Sequence, residues 1–418
     1  MINIYLSLEG NRYYVGKLKK TDHGIYFQYE KTFLETGYQL SPLKLPLSDQ
    51  VFKAPDTPFN KLHGVFADSL PDGWGLLLMD RYLRQKGFDP NTVTSLDRLL
   101  YVGSTAMGAL IYEPDLSNKQ GGSNESLLDL YSLSLEAEKV YAGSMADVLP
   151  ELLMAGTSPG GARPKIIVGI KDDQIVSGEH DLPEGYESWL IKFHTNQNGE
   201  EGIVEEVYAQ LLRKSFINMP ETKILHAKGK SFFAVKRFDR DENKRLHVHS
   251  LAGLVHANFR TFDFDYEQFL KVTFLLTKNS NDAEQAFRQM VFNILAVNRD
   301  DHTKNFSFIM DGNGQWRLSP AYDVTFNMGI EKEQSMSVAG HGKNIPEKTF
   351  YELGENLEID SKHVKQIFAE ISEALSHWGR SAKLLGISNS TVEDIQRKMD
   401  EQFNQYRSLI ISTPKPLV

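Results

Sequence analysis

The tightest constraint in this 418-residue chain is the segment NRDDHTKNFSF, with SPAYDVTF a short way behind it. Asp300 stands five residues before Asn305, and Asp323 follows Asn305 by eighteen. Between them FSFIMDGNGQWRLSP reads as a short hairpin turning at DGNG, since apolar strand residues break there at a cluster of Asp, Gly and Asn. A loop of that length doubles back, so a carboxylate at its start and an amide at its end can serve one site. Asp323, placed just after the hairpin, offers a carboxylate from a strand end, a hard oxygen suited to a divalent cation.

Composition limits what surrounds this segment. The chain is too long for one ordinary core, which predicts two or three domains. It has no cysteine, which removes disulfides, thiolate metal sites and Cys nucleophiles and agrees with a reducing compartment. With 46 basic and 55 acidic residues the net charge is −9, unlike a stand-alone DNA binder that neutralises phosphates with clustered Lys and Arg. The opening MINIYLSLEGNRYYVGKL lacks the basic and apolar regions of a signal peptide. No apolar run reaches membrane-spanning length. These features predict a cytoplasmic protein with no membrane partner.

Along the chain, residues 1–55 read as short strands and turns. After PDGWG, the stretch WGLLLMDRYLRQKG reads as a helix ending at Lys86 and Gly87. SLDRLLYVG follows as a second helix and MGALIYEP as a closing strand. DLSNKQGGSNES, at 115–126, is the clearest boundary. The expected division is an N-terminal subdomain over 1–114, a linker over 115–135, a β-rich lobe over 136–240 and a helical lobe over 241–418. No internal repeat is present.

Phosphoryl transfer asks a protein for backbone donors and a cation at the phosphates, Mg²⁺ ligands, a base and a nucleotide cleft. In TSPGGARPK, Thr157 to Lys165, Gly160 and Gly161 let the backbone approach an anion and Lys165 could add charge; an ordinary surface turn has the same look. In SWLIKFH, Lys192 sits alone in an apolar strand and either meets an anion or snorkels to water. The following IVEEVYAQLLRKSF has apolar residues at 204, 207, 208, 211 and 212, one helical face, and offers Glu205 and Glu206 as partners for Lys192. The Asp300–Asn305 gap equals that of the kinase catalytic loop H-R-D-x-x-x-x-N, where the Asp accepts the hydroxyl proton and the Asn turns onto Mg²⁺. Asp301, four before Asn305, fits the base role less well.

With SPGGARPK, WLIKFH, VKRFDR, RLHVHSLAGL, NRDDHTKNFS and LSPAYDV in this order, and FADSLPDGWG and RLLYVGSTAMGAL before them, the chain resembles the HipA family of bacterial serine/threonine kinases over nearly its whole length. The resemblance implies an α+β, protein-kinase-like bilobal fold: a β-rich N-lobe and an all-helical C-lobe, preceded by a small β-rich subdomain with helices. It implies ATP and Mg²⁺ as cofactors, with Gly160, Gly161, Ala162, Arg163, Pro164 and Lys165 as the phosphate loop. Lys192 would bind the phosphates with Glu206 as its partner, and Lys236, Arg237 and Phe238 would lie at the adenine hinge. Asp300 would be the base, His302, Thr303, Lys304 and Asn305 would continue the loop, and Tyr322 would join the nucleotide set. Asn305 and Asp323 would hold Mg²⁺.

Ser158, beside Thr157, matches a serine whose autophosphorylation silences members of the family, since a phosphate of about −2 charge cannot share a site shaped for ATP. The family's partners imply a HipB-like helix-turn-helix antitoxin, DNA reached through it, and an aminoacyl-tRNA synthetase as protein substrate. RLHVHSLAGL departs from the acidic, Gln-containing stretch of the toxin that names the family, which bears on the substrate and leaves the chemistry intact. Two other readings stand beside this one: a small-molecule phosphotransferase of the aminoglycoside type, and a non-catalytic nucleotide-binding regulator.

Three further signals are weighed lightly. His247 and His249 share a strand face and could ligate a metal, but a packed pair is the simpler expectation. SAKLLGISNSTVEDI has the look of a helix-turn-helix but few basic residues, so a helical hairpin is expected. Trp74 is expected in a core or interface.

Overall fold

The computed structural model describes residues 1–117, 127–144, 148–156, 161–194, 199–261 and 263–410. The chain divides into two compact units, one of Met1–Gly202, Glu221–His256 and Phe308–Gln315, the other of Ile203–Pro220, Ala257–Ser307 and Trp316–Val418.

The first unit opens on a five-stranded antiparallel sheet. Its strands are β1 (Ile2–Leu8), β2 (Asn11–Thr21), β3 (Gly24–Tyr29), β4 (Val51–Lys53) and β5 (Leu110–Glu113), in the order β4-β3-β2-β1-β5. β1 alternates as a half-buried strand should: Ile2, Ile4, Leu6 and Leu8 are buried and the residues between them are not. The helices Gly64–Ala67, Gly73–Gln85 and Ser95–Val102 lie between β4 and β5 in sequence. The last starts with a reciprocal cap between Thr94 and Asp97, and Gly73–Gln85 stops before Lys86 and Gly87 as the sequence predicts.

Gly64 meets the helix Leu251–Val255 so closely that a Cβ there would lie 2.0 Å from the Gly253 carbonyl oxygen. Gly64→Ala is therefore expected to cost about 1–3 kcal/mol from overpacking, more than the gain of up to about 1 kcal/mol in helix propensity. Urea unfolding should show a lower midpoint at unchanged slope; a wild-type midpoint would mean the two helices part freely.

A second five-stranded antiparallel sheet follows, of β6 (Lys165–Lys171), β7 (Gln174–Ser177), β8 (Glu187–Lys192), β9 (Thr222–Ala227) and β10 (Lys230–Lys236), in the order β7-β6-β8-β10-β9. Its buried face gives Ile166, Val168, Trp189, Ile191 and Phe232 to a core closed by Leu133, Ala137 and Val140 of the helix Leu130–Tyr141 and by Trp74 and Leu78. Trp74 is thus a core residue, and the helix that carries it belongs to the packing of the second sheet. His247 and His249 are buried on one strand: Nε2 of His247 bonds the Leu40 carbonyl (2.9 Å), and His249 bonds Asp68 (2.6 Å) and Ser41 (3.0 Å). Among the described residues no group of three or more His, Cys, Asp or Glu is placed to hold a metal by itself.

The second unit is mostly helical. The five apolar positions read from the sequence in the helix Glu201–Lys214, namely 204, 207, 208, 211 and 212, are all buried. The helix Ser280–Leu295 is its axis, with every residue from Ala286 to Leu295 buried. Tyr208 donates to the Ala296 carbonyl (2.6 Å) and packs on Trp378. The segment resembling a DNA reader is a helical hairpin of Trp378–Leu384 and Asn389–Gln405, whose Val392, Ile395 and Met399 are buried. Not all of this half is helix: the strand Trp316–Leu318 and a largely irregular segment up to Pro346 interrupt it, carrying a single 3₁₀ turn. No helix among the described residues is long and apolar enough to cross a membrane.

Candidate active site

The candidate catalytic loop lies in the second unit. After Ser280–Leu295 the chain reverses through Val297, a β-branched residue at φ +56°, a conformation that persists only where surrounding bonds impose it. Those bonds are present. Asn298 N–H donates to Asn293 (2.9 Å), Arg299 N–H donates to the Asn327 carbonyl (3.0 Å) and Asn327 N–H to the Val297 carbonyl (3.0 Å). Asp300 then projects outward, its side chain 54% exposed, with His302 Nε2 3.9 Å from Oδ1. A 3₁₀ turn over Thr303–Asn305 folds the chain back, and Asn305 Nδ2 donates to the Asp300 carbonyl (2.7 Å). This bond gives the five-residue spacing its physical reason, because it closes the loop on itself. An amide that donates through nitrogen here presents its oxygen elsewhere.

Asp301 has the opposite environment. It is 1% exposed and accepts from Tyr266, Gln334 and Ser335. Burial pushes its carboxyl up to about 6, against the pull of those donors. Of two adjacent aspartates, only Asp300 is open to a substrate.

Tyr322 ties the next segment to the loop. Its hydroxyl donates to the Lys304 carbonyl (2.7 Å) and shares a hydrogen bond with Ser307 (2.6 Å). Asp323 follows in a left-handed conformation, φ +56°. One residue beside Asn305 is therefore bonded to one residue beside Asp323. The donor set of one amide oxygen and one carboxylate fits Mg²⁺, a hard cation held by one or two side chains with phosphate and water completing its shell. Thr303 is buried, and both Lys304 and His302 lie against Phe259.

In the first unit, Thr157, Ser158 and Gly160 lie outside the described residues. Gly161, at φ +90°, donates its N–H to Asp72 and accepts from Trp74 N–H (2.9 Å). Ala162 is exposed, Arg163 half-buried and Pro164 buried, and the Pro164 carbonyl accepts from Phe193 N–H (2.9 Å). Lys165 opens β6 directly opposite Lys192 on β8. Their side chains share a face, and they are only 5% and 8% exposed. Two like charges directly opposite on adjacent strands oppose folding, and more so when buried; such a pair is suited to a multiply charged anion. Lys165 Nζ lies against Gly161, whose added Cβ would come within 2.5 Å of it.

The hinge residues are placed differently from one another. Lys236 pairs with Glu187 and Phe238 is half-buried. Arg237 is buried and bidentate on Asp239 (2.9 and 2.8 Å), so its guanidinium is committed, and its backbone N–H donates to the Ser188 carbonyl (2.9 Å). Glu206, on a helix of the second unit, is buried, accepts from Gln210 (2.9 Å) and keeps Oε2 without a hydrogen-bond partner among the described residues.

Two groups escaped the sequence reading. Asp72 and Trp74 of PDGWG grip Gly161, and Asp239 with Arg240 clasps Ala106 and Gly108. A Pro-Asp-Gly-Trp cluster opening a helix was the available signal for the first.

Two family models match the chain. The family model for the HipA-like C-terminal domain matches residues 157–378, and that for the HipA N-terminal domain matches 7–113. A Haemophilus influenzae protein named "Putative kinase" is 27% identical over 183 residues, 40% of this chain and 52% of that one. A Sinorhizobium fredii protein named "Putative kinase Y4dM" is 25% identical over 232 residues, 52% of this chain and 50% of that one. The chain thus spans about half the length of the curated relatives it matches. A solved Shewanella oneidensis MR-1 complex of the toxin–antitoxin proteins HipA and HipB with operator DNA includes a chain that superposes with a TM-score of 0.69 at 14% identity, covering 99% of this chain and 100% of that one. At that identity the likeness is one of fold.

Proposed function

This chain belongs to the HipA family, and we propose that it is an ATP- and Mg²⁺-dependent serine/threonine protein kinase, the toxin of a toxin–antitoxin module. The observation that carries the reading is the closed loop of the second unit, with an exposed Asp300, Asn305 folded onto its carbonyl and Asp323 tethered through Tyr322. Asp300 accepts the proton of the acceptor hydroxyl as that oxygen bonds the γ-phosphorus, and the bond from phosphorus to the β-phosphate oxygen breaks to release ADP. Asn305 and Asp323 would hold Mg²⁺, which supplies charge neutralisation at the phosphates. Lys165 and Lys192, with Gly161 fixed by Asp72 and Trp74, serve the phosphates; residues 136–240 make the nucleotide-binding part and 241–418 the catalytic part. Relatives named as kinases and a fold match to a HipA in complex with HipB and DNA support a kinase with a HipB-like antitoxin as partner and DNA reached through it; a protein acceptor such as an aminoacyl-tRNA synthetase is what the family resemblance implies.

Incubation with ATP and Mg²⁺ followed by phosphopeptide mapping tests the reading. Phosphate is expected on the loop at Ser158, and Ser158→Ala should remove that site while transfer to other proteins persists. An unchanged map would assign the modification to another hydroxyl.

A further inference from the structure

Beneath the exposed Asp300, five buried residues form a closed ring of hydrogen bonds. Tyr266 Oη donates to Asp301 Oδ2 (2.6 Å), Asn293 Nδ2 to Tyr266 Oη (3.0 Å) and Asn298 Nδ2 to Asn293 Oδ1 (3.0 Å). Gln334 Nε2 closes the ring by donating to both the Asn298 carbonyl (3.1 Å) and Asp301 Oδ2 (2.9 Å). Ser335 N–H occupies Oδ1 (2.7 Å), and Ser335 Oγ reaches the Arg299 carbonyl (2.8 Å). None of Tyr266, Asn293, Asn298, Asp301 and Gln334 is more than 5% exposed.

The direction of these bonds matters. Tyr266, Gln334 and Ser335 all donate hydrogen bonds to Asp301, so the carboxylate is where these donors converge. With both oxygens occupied it cannot take a substrate proton. It instead links the helix Tyr266–Thr277, the end of the helix Ser280–Leu295 and the segment at 334–335 to the residues that flank Asp300. The same stretch of loop, through Val297 and Arg299, is bonded to Asn327, four residues after Asp323.

We propose that Asp301 is a positioning residue for phosphoryl transfer, holding Asp300 and the Asp323 segment in register through the ring with Tyr266, Asn293, Asn298 and Gln334; this rests on the function proposed above. Asparagine at 301 keeps the size of the side chain but turns an NH₂ group toward donors, so at least one bond of the ring is lost. A displacement of the base by about 1 Å costs on the order of 10²-fold in rate, whereas residues that only bind nucleotide are untouched.

The test compares wild type, Asp301→Asn and Tyr266→Phe by the rate of ADP release from ATP and Mg²⁺. The expected result for Asp301→Asn is a kcat about 30- to 100-fold lower with a KM for ATP within about threefold. Tyr266→Phe, which deletes one donor and keeps the ring's packing, should lower kcat by about 3- to 10-fold with the same split. A variant that melts lower but turns over at the wild-type kcat would overturn the proposal, leaving Asp301 a structural residue. If Asp301→Asn does not fold, Tyr266→Phe decides alone, and an unchanged kcat overturns the proposal. A wild-type chain that carries no phosphate and releases no ADP would instead overturn the kinase reading and the proposal with it, an outcome distinct from an active wild type beside active variants.

Discussion

Asp300→Asn is expected to lower phosphoryl transfer by about 10²–10⁴-fold, the usual contribution of a general base, with ATP affinity close to wild type. The geometry predicts this separation. The Asp300 side chain is 54% exposed, and the bond that closes the loop runs from Asn305 to the Asp300 backbone carbonyl, which the substitution preserves. Asparagine of the same shape removes only the proton acceptor. Transfer measured at saturating ATP should collapse while an equilibrium titration with ATP and Mg²⁺ barely moves. If both fall together, Asp300 binds nucleotide and another group is the base.

The second large effect is on stability. Asp239→Ala is expected to cost about 3–5 kcal/mol, because it leaves two buried guanidinium groups without their counter-charge. Asp239 is fully buried and accepts two bonds from Arg237, one from Arg240 (2.7 Å) and one from Gly108 N–H (2.8 Å). Burial alone would raise its carboxyl, yet the two guanidiniums and the Gly108 N–H outweigh it and hold the group well below the usual carboxylate range. The sign follows: a carboxyl depressed in the folded state contributes stability above its unfolded value near pH 4 and loses it only as pH falls through the folded value. Between about pH 5 and 8 this contribution should be flat. Urea unfolding of Asp239→Ala at neutral pH reads the loss, and a cost under about 1 kcal/mol would mean that water or another anion replaces the carboxylate.

Much of the candidate site was open to sequence reading because its logic is local. Asp300, Asn305 and Asp323 declare themselves by spacing, and the structure supplies the reason in the Asn305–Asp300 bond. The helix Glu201–Lys214 was readable from period, as was β1. The contacts that hold the site were not readable. Asp72 meets Gly161 across 89 residues, Asp239 meets Gly108 across 131 and Tyr266 meets Asp301 across 35. Single hydrogen bonds between distant segments leave no periodic trace in a sequence. The same holds for the register that sets Lys165 opposite Lys192, since an antiparallel pairing depends on the loops between the strands. Asp301 looked like a weaker version of its neighbour, and only its burial separates the two.

The most direct test of the kinase account is the intact mass of the purified chain before and after incubation with ATP and Mg²⁺, with Asp300→Asn in parallel. The account predicts wild type carrying one phosphate, already present or gained on incubation, while Asp300→Asn carries and gains none. Phosphate on both proteins, or on neither while ATP also stays unhydrolysed, would contradict the assignment of this loop as a phosphoryl-transfer centre.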